Sequence, residues 1–209
     1  MFRSITIALF CALSLTGCQG SGVNNTAGKA VVDIDPATRG PVAGVGIEGQ
    51  DVISMTDQMM RDMLTTPELG SASQPPQVII DSQFFENESS QPINKNAITD
   101  RLRISLNRAA HGRMIFVGRH YAGMVSQERD LKRQGVTDVG TLGLTQAQAG
   151  ADYRLGGRIA SLDSRNSATG MIQRYNQITF EMVDLERGTI VWSGIYEFSR
   201  AGQDDVVYR

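Results

Sequence analysis

The chain has 209 residues, with 20 Lys and Arg against 22 Asp and Glu and a formal net charge of −2. That near balance gives no electrostatic argument for a nucleic-acid partner or for attraction to anionic lipid. Hydrophobic residues make up 41% of the chain, which suits one domain with a buried core plus a tail.

At the N-terminus Arg3 supplies a positive start, residues 5–15 are apolar apart from Thr6 and Ser14, and Leu15-Thr16-Gly17-Cys18 closes the segment. The run falls short of the roughly 20 apolar residues that span a bilayer, so it reads as a removable signal segment. Leu-Thr-Gly-Cys resembles the lipobox of bacterial lipoproteins. That resemblance implies cleavage before Cys18 and lipidation of Cys18 with acyl chains such as palmitate. Several chains anchor stably where one is marginal. Gln19 stands where an inner-membrane retention signal carries Asp, which by the same resemblance implies the outer membrane. The alternative is an ordinary secretory signal with an incidental cysteine. Cys11 and Cys18 are the only cysteines, so the region beyond has no disulfide, thiol nucleophile or cysteine metal site.

The chain is expected to divide into a signal peptide over 1–17, a flexible tether over 18–50 and a globular domain over 51–209. Glycines at 20, 22, 28, 40, 44, 46 and 49, with Pro36 and Pro41, leave no helical or strand period in the tether. It would span on the order of 100 Å pulled straight and about 30 Å as a coil. A short edge strand over 42–47 is a further expectation.

From Asp51, the spacing of Val52, Met55, Met59, Met60 and Met63 predicts a helix through Leu64, ended by Pro67 and Gly70. The methionines read as core. A strand is expected over 78–81, then a helix capped by Asn94 or Asn96 and stopped by Gly112. Further expectations are a strand over 113–117, a helix over 121–134 and a short helix over 145–149. Three strands over 153–163, 172–184 and 189–199 form an antiparallel meander, with Glu186-Arg187-Gly188 as its second turn. The fold class is α/β (α+β), a mixed sheet flanked by helices.

No constellation carries chemistry. Gly44-Val45-Gly46-Ile47-Glu48-Gly49 matches G-x-G-x-x-G, but no strand enters it and no βαβ unit follows, so its glycines read as linker. His111 at a helix end and His120 after a strand belong to no ligand pattern. Glu86 and Glu88 read as a solvated strand end. No nucleophile elbow or P-loop occurs. The reading is of a protein without catalytic, cofactor or metal residues.

Three stretches together resemble the LpoB family of outer-membrane lipoprotein activators of penicillin-binding proteins. They are the lipobox with its Gly-rich tether, 51–64 with 78–108, and Leu185-Glu186-Arg187-Gly188-Thr189-Ile190-Val191-Trp192-Ser193-Gly194. The resemblance implies a fold like the N-terminal domain of TolB. It implies a lipid-anchored, non-enzymatic regulator at the periplasmic face of the outer membrane. Its partner would be a class A penicillin-binding protein, a bifunctional peptidoglycan synthase, which it would stimulate as a monomer. Two departures stand out, a shorter tether and extra residues over 163–171. Arg165, Arg174 and Tyr175, beside that insertion, are the candidate partner-binding residues, since Arg and Tyr are common interface anchors; the bland reading leaves them solvated. Competing functions are a binding module of another envelope assembly or secretion system, and an envelope hydrolase.

Overall fold

The computed structural model describes Gly28 and residues 31–70, 73–203 and 205–208. Residues 35–209 form one compact unit. In chain order its elements are α1 (Gly49–Thr65), α2 (Pro67–Gly70), β1 (Gln77–Ile79), β2 (Phe85–Asn87), α3 (Lys95–Ala110), β3 (Ile115–Phe116), a 3₁₀ turn (Arg119–Tyr121), α4 (Ala122–Arg133), β4 (Tyr153–Arg165), β5 (Ile172–Asp184) and β6 (Ile190–Gly202).

Helix boundaries follow local chemistry. A capping box between Glu48 and Asp51 starts α1, each side chain meeting the other residue's backbone N–H. Met55, Met59 and Met63, spaced four apart, are fully buried. The Asn94 side chain caps α3 by accepting from the amides of Asn96 and Ala97. At its other end His111 (φ 48°) and Gly112 (φ 83°) turn the chain through the left-handed region.

The six strands form one mixed sheet in the order β3-β1-β4-β5-β6, with β2 also pairing β4. β1 and β2 run parallel to β4 and occupy successive stretches of the same edge, at Tyr153–Arg154 and at Gly157–Ile159. β4, β5 and β6 are the expected antiparallel meander, each 13 residues long. Along β5 the even-numbered residues from Ile172 to Met182 are buried while their neighbours are more exposed, the two-residue alternation of a sheet packed on one face.

A row of alternating rings and glycines crosses that packed face. Gly157 lies opposite Phe85 on one side and Phe180 on the other, and Phe180 lies opposite Gly194. The Phe85 and Phe180 rings stack across the Gly157 gap, 4.7 Å between centroids and 12° from parallel. Trp192 lies over Gly194 and donates its Nε1–H to Asp62 of α1 at 2.8 Å.

Two expected elements are absent. Residues 145–149 are not helical, because arginines of the preceding segment take their carbonyls. Arg129 donates to Thr145 O at 2.6 Å, Arg133 to Gln146 O at 3.2 Å and Arg119 to Ala149 O at 3.2 Å. Residues 42–47 form no strand, because side chains take their backbone hydrogen bonds. A third difference is an addition: β2, at the expected polar strand end, is a paired strand that Phe85 anchors in the core.

Gly157→Ala is expected to destabilise the domain by about 2–3 kcal/mol. Its Cβ would press into the Thr179 carbonyl and come within 2.9 Å of both Phe rings. Gly123→Ala, in the open on α4, is expected to leave stability unchanged or raise it by about 0.5–1 kcal/mol. Thermal unfolding of the two variants against the parent checks the contrast.

Candidate functional site

The segment just before α1 is bound across the packed face like a ligand. Val45 and Ile47 keep only 2% and 6% of their surface exposed. Their backbone is read by side chains from distant parts of the chain. Gln91 accepts from Ile47 N–H at 2.8 Å and donates to Ile47 O at 2.9 Å. Asn176 donates to Val45 O at 2.9 Å, and Arg200 to Gly46 O at 2.6 Å. Tyr208 Oη accepts from Gly46 N–H at 3.0 Å. Arg200 also pairs with both carboxylate oxygens of Asp51, at 2.9 and 2.7 Å.

These bonds explain the missing strand: the amides and carbonyls that a ladder would use are satisfied by side chains. They also give Gly44 and Gly46 a purpose, since a Cβ at either would collide with Tyr208 and one at Gly46 would also meet Gln91. The expected tether over 18–50 therefore overlaps the compact unit, which begins at Asp35. The G-x-G-x-x-G pattern is a close-packing device.

The three candidate partner-binding residues do not converge. Arg165, Asp163 and Arg174 lie on one face of the meander, opposite Ile172, Arg174 and Asp163 respectively, while Tyr175 lies opposite Leu162 on the other face. Adjacent strand residues point to opposite faces, so Arg174 and Tyr175 cannot share one surface. The Arg174 side chain is 7% exposed and grips Asp163 through two charge-assisted bonds of 2.6 and 2.7 Å. This bond to Arg174 holds the Asp163 carboxyl below the ordinary carboxylate range. Tyr175 donates to Glu197 at 2.6 Å, and that hydrogen bond raises its phenol. Arg165 is exposed beside the turn that the Asn166 side chain organises by accepting from Ala168 and Thr169. Cys18 lies outside the described residues.

The other sequence candidates are placed as follows. His111 caps α3, the His120 ring lies against Tyr121 with 4.0 Å between centroids and a 49° tilt, and Glu88 makes an exposed 3.4 Å ion pair with Arg158. Among the described residues no group of His, Cys, Asp and Glu could hold a metal ion, and no helix is long and apolar enough to cross a membrane. Sequence reasoning missed Gln91, Asn176, Arg200 and Tyr208. Asn176 and Arg200 carried a usable signal: both are polar residues at inward positions of alternating strands.

A mixed sheet packed on one face by two long helices, with a polar clamp for its own leading segment, defines a small α+β domain. A family model described as the peptidoglycan-synthase activator LpoB matches residues 51–198, and the chain belongs to that family. Among solved structures it is similar to the LpoB C-terminal domain from Salmonella enterica, at 20% identity over 73% of this chain and 98% of that one, with a TM-score of 0.40. The LpoB C-terminal domain from Escherichia coli matches at 18% identity over 72% and 99%, with a TM-score of 0.41. Lipoprotein GNA1162 from Neisseria meningitidis matches at 14% over 61% and 84%, with a TM-score of 0.31. No curated protein matches the sequence.

The Asp163–Arg174 pair predicts a pH dependence. A carboxyl whose folded pKa is depressed stabilises the fold above its unfolded pKa, about 3.9, and that contribution disappears as pH falls through the folded value. Asp163→Asn is therefore expected to unfold more easily than the parent at pH 7, with the gap closing below about pH 4. Because Asp163 is 38% exposed, solvent screening keeps the gap modest. Urea unfolding at a series of pH values measures it.

Proposed function

We propose that this protein is a lipid-anchored, non-catalytic regulator that docks on a class A penicillin-binding protein and stimulates its synthesis of peptidoglycan. The observation that carries this reading is the family match across residues 51–198. Cys18 is proposed as the lipidated residue and the outer membrane as the anchoring site, on the strength of the Leu-Thr-Gly-Cys segment and Gln19.

With residues 35–50 held in the compact unit, residues 18–34 are left as connecting chain, and covalent geometry limits them to about 60 Å. Confinement of the domain near its anchor raises the effective concentration at the synthase. Stimulation requires tighter binding to the active form of the partner than to the inactive one.

The proposed docking face is the open side of the meander around Tyr175 and Leu162, which leaves Arg165, on the opposite face, outside it. Leu162 is 70% exposed and Ile195, on the same side, 48%. Arg174 contributes by holding the hairpin through Asp163.

Purified full-length protein in detergent is expected to raise glycan-chain synthesis by a class A synthase severalfold. Leu162→Ala with Tyr175→Ala is expected to weaken binding at least tenfold, about 1.4 kcal/mol, without lowering the thermal midpoint. Failure to stimulate any class A synthase contradicts the function. Unchanged binding by the double variant contradicts the docking face alone.

A further inference from the structure

A cleft of about 340 Å³ opens beyond the carboxyl ends of the parallel neighbours β1 and β3. Crevices at that end of parallel strands are the usual ligand position in open sheets. Three segments meet there. Asp81 lies just beyond β1, and His120 and Tyr121 belong to the turn after β3. Asn96, Asp100 and Arg103 lie at intervals of four and three along α3, which puts them on one face.

The polar groups are held in position by each other. Asp81 accepts from Arg154 at 2.9 and 2.8 Å, and Asp100 from Arg103 at 2.7 Å. Each carboxylate is thus matched by a guanidinium, which leaves no net charge to attract an ion. Each still has acceptor capacity to spare. On the donor side, Arg103 lines the cleft and commits only its bond to Asp100 out of five N–H donors. Tyr121 is 51% exposed and is steadied by the His120 ring, so it presents an apolar face at the mouth.

We infer that this cleft binds an uncharged pyranose unit of a glycan. The sugar's C–H face packs on Tyr121, while its hydroxyls accept from Arg103 and donate to Asp81, Asp100 and Asn96. Amphipathic rings and fixed planar polar groups suit a ligand that has one apolar face and a hydroxyl rim. Ion-paired walls argue against phosphate or a metal. This inference is independent of the activator reading, since a glycan contact neither requires nor excludes docking on a synthase.

Calorimetric titration of the full-length protein in detergent with chitotetraose, and separately with maltotetraose, tests it. Millimolar-range binding is expected, weakened at least fivefold, about 1 kcal/mol, by Tyr121→Ala and by Asn96→Ala. Both side chains are exposed, so an unchanged thermal midpoint certifies the fold of each variant. Binding of chitotetraose alone supports an N-acetylated glycan, and binding of both sugars supports a general pyranose site. Absence of binding to either sugar overturns the inference, and so does binding that both substitutions leave intact.

Discussion

The clamp on residues 45–47 is the constraint on which the rest of this structure depends. Val45 and Ile47 complete the cover of the packed face. Their backbone is satisfied by Gln91 from the loop before α3, Asn176 from β5, Arg200 from β6 and Tyr208 from the C-terminal segment. Four parts of the chain therefore meet at one short strap. Arg200 extends the connection to Asp51, in the capping box of α1, so the start of the first helix and the end of the last strand share one ion pair. A buried network of this kind is valuable only when every member is satisfied, because each broken bond strands a desolvated group.

The compact unit extends upstream of α1 to Asp35. Within that unit, Val45 packs beside Gly202 at the end of the meander. The flat faces around it are organised by a second device, the row of Phe85, Gly157, Phe180 and Gly194, which sets strand against strand without room for another methyl group. Together they give the open side of the meander, the proposed docking face, a rigid backing.

Much of the fold was legible in the sequence because it follows from local rules. The methionine stripe of α1, the Asn94 cap, the Gly112 stop and the alternation along β5 each have short-range physical causes. The strap was not legible. Its glycines signal freedom as readily as close packing, and only residues between 44 and 162 positions away decide which applies. The short helix over 145–149 failed for a related reason, since arginines of the preceding segment outcompete the helical bonds. Of the candidate partner residues, Arg174 read as an exposed anchor because no single-sequence rule shows that Asp163, across a hairpin, will bury and bind it. Strand parity alone already separated Arg174 from Tyr175.

Amide hydrogen exchange at Gly46 and Ile47 in the full-length protein measures the clamp directly. Protection within about tenfold of that at Phe180 in the sheet core, lost selectively at Ile47 on Gln91→Ala, is the expected result. Exchange at the rate of an unstructured glycine-rich chain would show that the strap belongs to the tether, and would contradict the account.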